Sequence, residues 1–441
     1  MHLTPFNVGL SNAGSRVRGS FSAALLLCFL AGLWYKDAAR AQNSSAPSTI
    51  SYEQAVFRSL NEHPDLAGYE FRMQAADARV RQAGVGPRPE LGLEIEDVAG
   101  TGDFNAVESA QTTLGVSWLL QCEVIDRRVQ VASGRTSMIT TQQQIAALDV
   151  AADTARYFLM ALAQQDRLSL ARRAEIQARE GLADIRRHVR VGKLPQAEAS
   201  RARAEVEQRS LAAEDVEHEY AIAKYQLAAQ WGERSPQFAE VDGSLAISIP
   251  AVDIASLRLQ ISNNPNLATF LNRERIADAE IALAQAEAGI QWRINAGIRR
   301  IEATDDFSLV AGISIPLGRR NRNHAEIEAL MAEQSQYRSE RQALEVALET
   351  RVYVMAQQLM HSRHVADAYL KRIIPSLEQA LADIESAYKQ GKYSYYELAS
   401  AQQDLIDARL SFLEAQYRGH LYWIEIEKLT GLSLARSGGG K

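Results

Sequence analysis

The chain has 441 residues, with 48 Lys and Arg against 54 Asp and Glu, which gives a formal net charge of −6. This acidic balance argues against nucleic-acid binding, because phosphate backbones attract basic surfaces. The length would allow about two or three globular domains, so the internal organisation must come from the pattern of residues.

The first residues have the pattern of an export signal. Arg16 and Arg18 precede an apolar run over 21–35, which is followed by the small-x-small sequence at 39–41. Residues 1–41 are therefore predicted to be a signal peptide. Removing four basic residues and one acidic residue changes the net charge from −6 to −9 (−6 − 3). Cys28 lies inside the apolar run rather than after it, which argues against lipidation.

The chain after the signal matches itself when it is displaced by about 200 residues. Pairs of residues recur at this distance: Pro64 and Leu66 as Pro265 and Leu267, and Gly192 and Lys193 as Gly391 and Lys392. The repeat predicts one domain built from two equivalent halves, 42–245 and 246–435, followed by a flexible tail at 436–441. Cys122 is the only cysteine after the signal, so no disulfide within the chain is expected.

In the first half, Ser51 and Gln54 have the spacing of a capping box and predict a helix that runs to about Gln82. Apolar and polar residues then alternate, which predicts strands near 90–98 and 110–120. A stretch without proline predicts a helix near 126–191, about 100 Å long. After a break at Gly192, a further helix is predicted near 196–230.

The second half repeats this order. We expect a helix from Ile254 to Gly289, strands near 291–301 and 307–317, a long helix near 323–390 that Pro375 bends, and a helix near 394–429. The last helix of the first half has a seam of mostly small or apolar residues with heptad spacing. Its members are Ala202, Val206, Arg209, Ala213, Val216, Tyr220, Ala223 and Leu227. Small residues at half of the corresponding positions in the second half suit helices laid side by side.

Four amphipathic strands are too few to close a barrel, since the smallest outer-membrane barrels need about eight. Three copies would supply about twelve strands, with the apolar faces toward lipid. The polar residues predicted to face the lumen are Glu94, Glu96, Arg293 and Arg299. From the strands alone, a soluble sandwich that buries the apolar faces is an equal alternative. The signal peptide and the two long helices favour the barrel.

Two segments resemble the TolC-like outer-membrane factors. They are residues 50–66, which begin Ile50-Ser51-Tyr52, and residues 391–431, which end Leu429-Thr430-Gly431. The resemblance implies a mainly α-helical fold with membrane strands: a homotrimer with a shared 12-strand barrel in outer-membrane lipid and a long periplasmic α-helical barrel. It also implies a tripartite pump with a periplasmic adaptor and an inner-membrane RND transporter as partners.

The junction Ile313-Ser314-Ile315-Pro316-Leu317, which leads into residues 320–323, is similar to that of channels serving cobalt, zinc and cadmium efflux pumps. This resemblance implies export of divalent heavy-metal cations. The first-half counterpart departs from the subgroup, with Cys122-Glu123-Val124-Ile125-Asp126 where a short Gly-Lys turn is usual. A multidrug or type I secretion channel remains an alternative, and a periplasmic helical scaffold or adaptor without a pore is an alternative of another class.

The sequence contains no nucleotide loop, zinc-protease signature or nucleophile elbow, so neither an enzyme nor a cofactor is expected. His361 and His364 are spaced i, i+3 on a helix and are the weak candidates for a metal pair. No third ligand lies nearby in the sequence, which favours an ordinary pair of helix side chains.

The two glycine turns are expected to be the docking tips for the adaptor, at Gly192, Lys193, Gly391 and Lys392. The family resemblance implies acidic residues at the periplasmic gate just past the second turn. Glu397 matches the first such position, Ser400 replaces an acid at the second, and Glu198 is the first-half counterpart of Glu397. The alternative for Glu397 is that it simply favours a helix N-terminus.

Overall fold

The structure is a computed structural model that describes residues 49–102, 104, 106–246, 252–316 and 323–431. The predicted signal peptide at 1–41, the tail at 436–441 and the basic end of the metal-type junction at 317–322 lie outside the described residues, as does Cys28. Each half of the described chain has the same succession of short helices, a strand hairpin, a long helical segment and a final helix.

The elements of the first half, in chain order, are β1 (Thr49–Ser51), α1 (Tyr52–Glu62), α2 (Pro64–Ala83), β2 (Glu90–Glu96), β3 (Gln111–Leu120), α3 (Cys122–Arg190), α4 (Gln196–Ala229) and β4 (Glu240–Asp242). Those of the second half are α5 (Ile254–Gln260), α6 (Pro265–Glu287), β5 (Trp292–Ile301), β6 (Asp306–Ser314), α7 (His324–Ala368), α8 (Ile374–Lys389) and α9 (Tyr395–Thr430).

The single opening helix predicted for each half is wrong, because both helices break before a proline. His63 precedes Pro64 and has φ −62°, ψ 126°, and Asn264 precedes Pro265 with φ −64°, ψ 122°. The proline ring disfavours helical geometry at the residue before it. Each of these residues then caps the following helix: His63 Nδ1 accepts from the Asp65 N–H at 3.2 Å. The predicted capping box of Ser51 and Gln54 is confirmed at the start of α1.

The longest helix, α3, has 69 residues and spans about 100 Å at 1.5 Å per residue. Its counterpart in the second half is divided, because a π-helical segment at Tyr369–Ile373 separates α7 from α8. Pro375 lies just after this segment and has no N–H to donate to the carbonyl four residues earlier. The wider turn falls where a regular helix would lose that hydrogen bond.

The four longer strands form one antiparallel sheet in the order β2-β3-β5-β6. β3 of the first half therefore pairs with β5 of the second, with Leu114 opposite Ile298 and Thr113 opposite Arg299. β2 ends at Glu96, because Asp97 has φ 60°, outside the extended region. Among the described residues, the outer edges of β2 and β6 have no partner strand.

The main core lies midway along α3, where α1 and the later parts of α4 and α9 pack against it. Phe158, Leu162, Leu227 and Trp231 are buried there. The predicted seam of α4 lies on its buried side, since Ala202, Val206, Ala213, Tyr220, Ala223 and Leu227 are all buried. A short parallel pair of strands that the sequence did not predict, β1 with β4, covers one end of this core.

Candidate functional site

One face of the four-stranded sheet carries the polar residues singled out from the sequence. Their register places Glu94, Glu96, Arg293 and Arg299 on the same face. Arg299 donates to Glu96 Oε2 at 2.7 Å, to Gln111 Oε1 at 3.0 Å and to Thr113 Oγ1 at 2.9 Å. The guanidinium thus joins three strands through charge-assisted hydrogen bonds.

The other two predicted residues of this face behave differently. Arg293 pairs with Glu90, a residue that the sequence analysis did not select, with Nη1 3.2 Å from Oε2. Glu94 is exposed. The face therefore carries both signs of charge, with one fixed guanidinium and one exposed carboxylate.

The opposite face of the sheet is apolar and exposed. Leu93, Leu114, Ile298 and Leu309 form one row across all four strands, and Leu309 is 88% exposed. Trp118 and Trp292 lie toward the helical end of the sheet, with 51% and 47% exposure. A contiguous apolar surface of this kind marks a contact with lipid or with another protein.

The two glycine turns have the same geometry. In the first, Gly192 has φ 75°, and the Lys193 N–H donates to the His188 carbonyl at 2.9 Å. In the second, Gly391 has φ 76°, and the Lys392 N–H donates to the Ala387 carbonyl at 2.9 Å. These are Schellman turns, in which glycine takes the left-handed position at little steric cost. The Gly-Lys pair that recurs in the sequence therefore forms the same turn in both halves.

The two turns lie side by side because tyrosines of the second half reach α3. Tyr388 donates from its hydroxyl to Asp184 Oδ2 at 2.8 Å. The Tyr395 ring lies against Gly181, where a Cβ would come within 2.7 Å of the ring atom Cε2. Burial, with help from the nearby Glu205 carboxylate, raises the pKa of Tyr395 to about 12. These contacts place both tips at the end of α3 that is farthest from β3.

These tip contacts are not evident from the sequence. The available signal was Gly181, a glycine in the middle of a long helix, where it costs about 1 kcal/mol relative to alanine. Such a glycine indicates close approach of another element. Nothing in the sequence identified Tyr395 as that element, because the two residues are joined only in the tertiary structure.

Glu397 forms a capping box with Ser394 at the start of α9. The Ser394 N–H donates to Glu397 Oε2 at 2.7 Å, and the Glu397 N–H donates to Ser394 Oγ at 3.4 Å. The bonds that Ser394 donates to this carboxylate, from its N–H and from its hydroxyl, hold the pKa of the exposed Glu397 carboxyl below its usual value. The helix-start role considered for Glu397 is thus present. Its first-half counterpart differs, because Glu198 follows the N-cap Pro195 and lies 3.7 Å from Arg201.

Ser400 is exposed about one turn beyond Glu397. His361 and His364 are exposed on α7. In the part of the chain that the structure describes, no group of three His, Cys, Asp or Glu side chains is arranged to hold a metal ion. Within the same residues, no helix combines the length and the apolar composition needed to cross a membrane.

Comparison with known proteins agrees with this architecture. Residues 56–233 match the model of the family described as outer membrane efflux protein. The cobalt-zinc-cadmium resistance protein CzcC of Cupriavidus metallidurans is 25% identical over 374 residues, which are 83% of this chain and 87% of that protein.

Solved structures share the fold at lower identity. CusC has a TM-score of 0.69 at 17% identity, over 88% of this chain and 94% of the CusC chain. The open state of the MtrE outer membrane channel of Neisseria gonorrhoeae has a TM-score of 0.68 at 15% identity, over 91% and 95% of the two chains.

A four-stranded amphipathic sheet joined to helices of this length is the fold of the TolC-like outer-membrane channels. Over residues 56–233, the chain matches the outer membrane efflux protein family. It is an efflux channel protein of the outer membrane whose helices form a periplasmic tunnel. The predicted family, fold class and location are confirmed.

Proposed function

We propose that three copies of this chain form the exit duct of a tripartite pump and share a 12-strand barrel. The observation that carries this proposal is the four-stranded sheet, which has one exposed apolar face and, among the described residues, no partner strand for its two outer edges. Open edges and an apolar face are both costly in isolation, and a ring of three copies removes the edges.

The polar face of the sheet would then line the lumen. Arg299, held by three hydrogen bonds, and the exposed Glu94 would each occur three times around the axis. Charged side chains of both signs keep such a lumen hydrated. The apolar row through Leu114 and Ile298 would face lipid.

Mass measurement of the protein in detergent tests this assembly directly. The mature chain should be extracted from the outer membrane with detergent and have the mass of three chains. A monomer that is soluble in buffer without detergent would contradict the pore and would favour a periplasmic scaffold or adaptor.

We propose further that the cargo is a divalent heavy-metal cation. The support is the relative CzcC, whose name records cobalt, zinc and cadmium resistance, together with the junction around Ile313. Deleting the gene should sensitise cells to cobalt, zinc or cadmium more than to hydrophobic antibiotics. Greater sensitivity to hydrophobic antibiotics would contradict this proposal and indicate a multidrug channel.

The remaining partners follow from the same assembly. The turns at Gly192 and Gly391 lie about 100 Å from the sheet and would meet a periplasmic adaptor, with an inner-membrane RND transporter as the energy source. Glu397, with Ser400 and Glu198 nearby, would form the periplasmic gate. The duct itself would transport without catalysis or a bound cofactor, since passage needs a path and not a reaction.

A further inference from the structure

The two tips have the same backbone geometry but carry opposite charge. Between Asp184 and Glu198, the first tip has four basic residues and two acidic ones, a net charge of +2 (4 − 2). The corresponding window of the second tip, Asp383 to Glu397, has two basic residues and three acidic ones, a net charge of −1 (2 − 3). The first tip is thus basic although the whole chain has a net charge of −6.

The basic residues of the first tip are available to a partner. Arg186, Arg190 and Lys193 are exposed, and among the described residues none of the three forms an ion pair with an acidic side chain. Arg187 is also exposed but is paired with Asp184, with Nη2 2.6 Å from Oδ1. Val191, between two of the free cations, is 68% exposed.

Helix geometry alone does not account for this charge. Cations favour the C-terminal turn of a helix through its dipole, and Arg187 and Arg190 lie in that turn. Lys193 lies beyond the end of the helix, as does its counterpart Lys392, and Arg190 corresponds to Lys389. The two tips therefore differ in charge at Arg186 and Arg187, where the second tip has Glu385 and Ser386. The second tip has an identical Schellman turn, yet its last helical turn has only one basic residue, Lys389. The difference between the tips therefore distinguishes two binding surfaces on one fold.

We propose that the first tip, formed by Arg186, Arg190 and Lys193 around Val191, is a docking surface for an acidic end of a partner protein. The inference rests on the proposed function, in which these tips meet the adaptor, and it adds the chemistry that the adaptor must present. Like charges across an interface suppress wrong contacts and opposite charges fix the register. The acidic second tip would reject the same acidic surface, so the partner would be guided to the first tip.

An acidic protein fits this arrangement better than an anionic membrane surface. The two tips lie side by side through the contacts of Tyr388 with Asp184 and of Tyr395 with Gly181. A broad anionic surface would therefore meet the basic first tip together with the carboxylates of Asp383 and Glu385. These carboxylates would repel the surface and oppose binding. A narrow acidic projection that also contacts the exposed Val191 avoids them.

The test uses full-length protein in detergent and three synthetic helical hairpins that differ only at their ends, which are acidic, neutral or basic. Binding is measured at low and high salt. The acidic hairpin should bind at least about tenfold more tightly than the basic one, with the difference shrinking as salt shortens the screening length from about 10 Å at 0.1 M.

Two triple variants separate local from overall charge. Arg186→Glu, Arg190→Glu and Lys193→Glu together should reverse the preference toward the basic hairpin. Arg173→Glu, Arg234→Glu and Arg275→Glu change the net charge by the same amount at exposed positions away from the tips, and should leave binding within about twofold, since such distant charges are screened. Circular dichroism of each variant checks that it is folded.

The inference is overturned if the native protein does not bind the acidic hairpin, binds all three equally, or loses binding equally in both triple variants. Binding of phosphatidylglycerol vesicles through the first tip, without binding of the acidic hairpin, would overturn it in favour of a membrane contact. Channel conductance of the same preparation in planar bilayers distinguishes failure of this inference from failure of the proposed function. A conducting protein that fails the hairpin test retains the proposed function and loses only this inference.

Discussion

The Tyr388 hydroxyl donates a hydrogen bond to Asp184 Oδ2 at 2.8 Å and so joins the end of α8 to the end of α3 across 204 residues of sequence. Arg187 donates to the other carboxylate oxygen at 2.6 Å. Asp184 is therefore bonded on both oxygens, once within its own helix and once from the other half of the repeat. The two tips are positioned relative to each other by this carboxylate.

Replacing Tyr388 by Phe should loosen the second tip from the first while leaving the main core intact. The loss of one hydrogen bond to a charged group costs about 1.5–3 kcal/mol at most, and less at this half-exposed site. Amide hydrogen exchange should become faster near residues 384–392 and 184–192. Tyr393→Phe is the matched control, because Tyr393 is exposed and the structure shows no hydrogen bond from its hydroxyl. Equal exchange in both variants would contradict a linking role for Tyr388.

Contact between the tips should also depend on pH. Burial alone would raise the pKa of Asp184, but hydrogen bonds from Tyr388 and Arg187 outweigh burial and hold it below its usual value of 3.8. Ionised Asp184 therefore stabilises the folded tips above that value, and the contribution is lost as pH falls through the lower folded pKa. Protection of the tip amides, expressed relative to the intrinsic exchange rate at each pH, should fall below about pH 4. Asp184→Asn should remove this dependence, and an unchanged pH profile in that variant would assign it to other carboxylates.

Gly181 should not tolerate alanine despite its position within a helix. Alanine would gain about 1 kcal/mol of helix propensity, but its Cβ would lie 2.7 Å from Tyr395 Cε2, so the ring must move. We expect Gly181→Ala to lower the local stability of the tips, measured by hydrogen exchange. Adding Tyr395→Ala to the same chain should remove the clash, so that the stabilisation from the helix propensity of alanine is recovered. Gly68→Ala is the control, since nothing lies within 4 Å of its added Cβ, and it should be stabilising. A stabilising Gly181→Ala variant with Tyr395 intact would contradict the contact.

Two substitutions separate the helix-start role of Glu397 from its proposed role in the gate. Glu397→Gln keeps an amide that can still complete the capping box but removes the charge. It should lower cation preference in planar-bilayer recordings if three copies ring the narrowest point. Ser394→Ala removes the cap, which costs about 1 kcal/mol, yet keeps the carboxylate and should leave selectivity unchanged. If Glu397→Gln leaves ion selectivity unaltered, the aperture lies elsewhere.

Local sequence patterns determined much of the secondary structure. The alternation of apolar and polar residues in β2 and β3 has a period of two, and the seam of α4 steps by three and four, so both follow from backbone geometry. For the same reason, the sequence alone predicts one shared face for Glu94, Glu96, Arg293 and Arg299. The breaks at His63 and Asn264 are also encoded locally, since both residues precede proline. The single opening helix predicted for each half runs through this signal and is wrong for that reason.

Only the tertiary structure decided which distant residues meet. The pairing of β3 with β5 across the two halves gives Arg299 its three partners, and the contact of Tyr388 with Asp184 brings the two tips together. The parallel pair of β1 and β4 is likewise absent from any local pattern. Period and turn chemistry are properties of neighbouring residues and can be found in the sequence. Contacts between segments about 200 residues apart depend on how amphipathic faces pack, and many pairings satisfy the same pattern until the whole chain is folded.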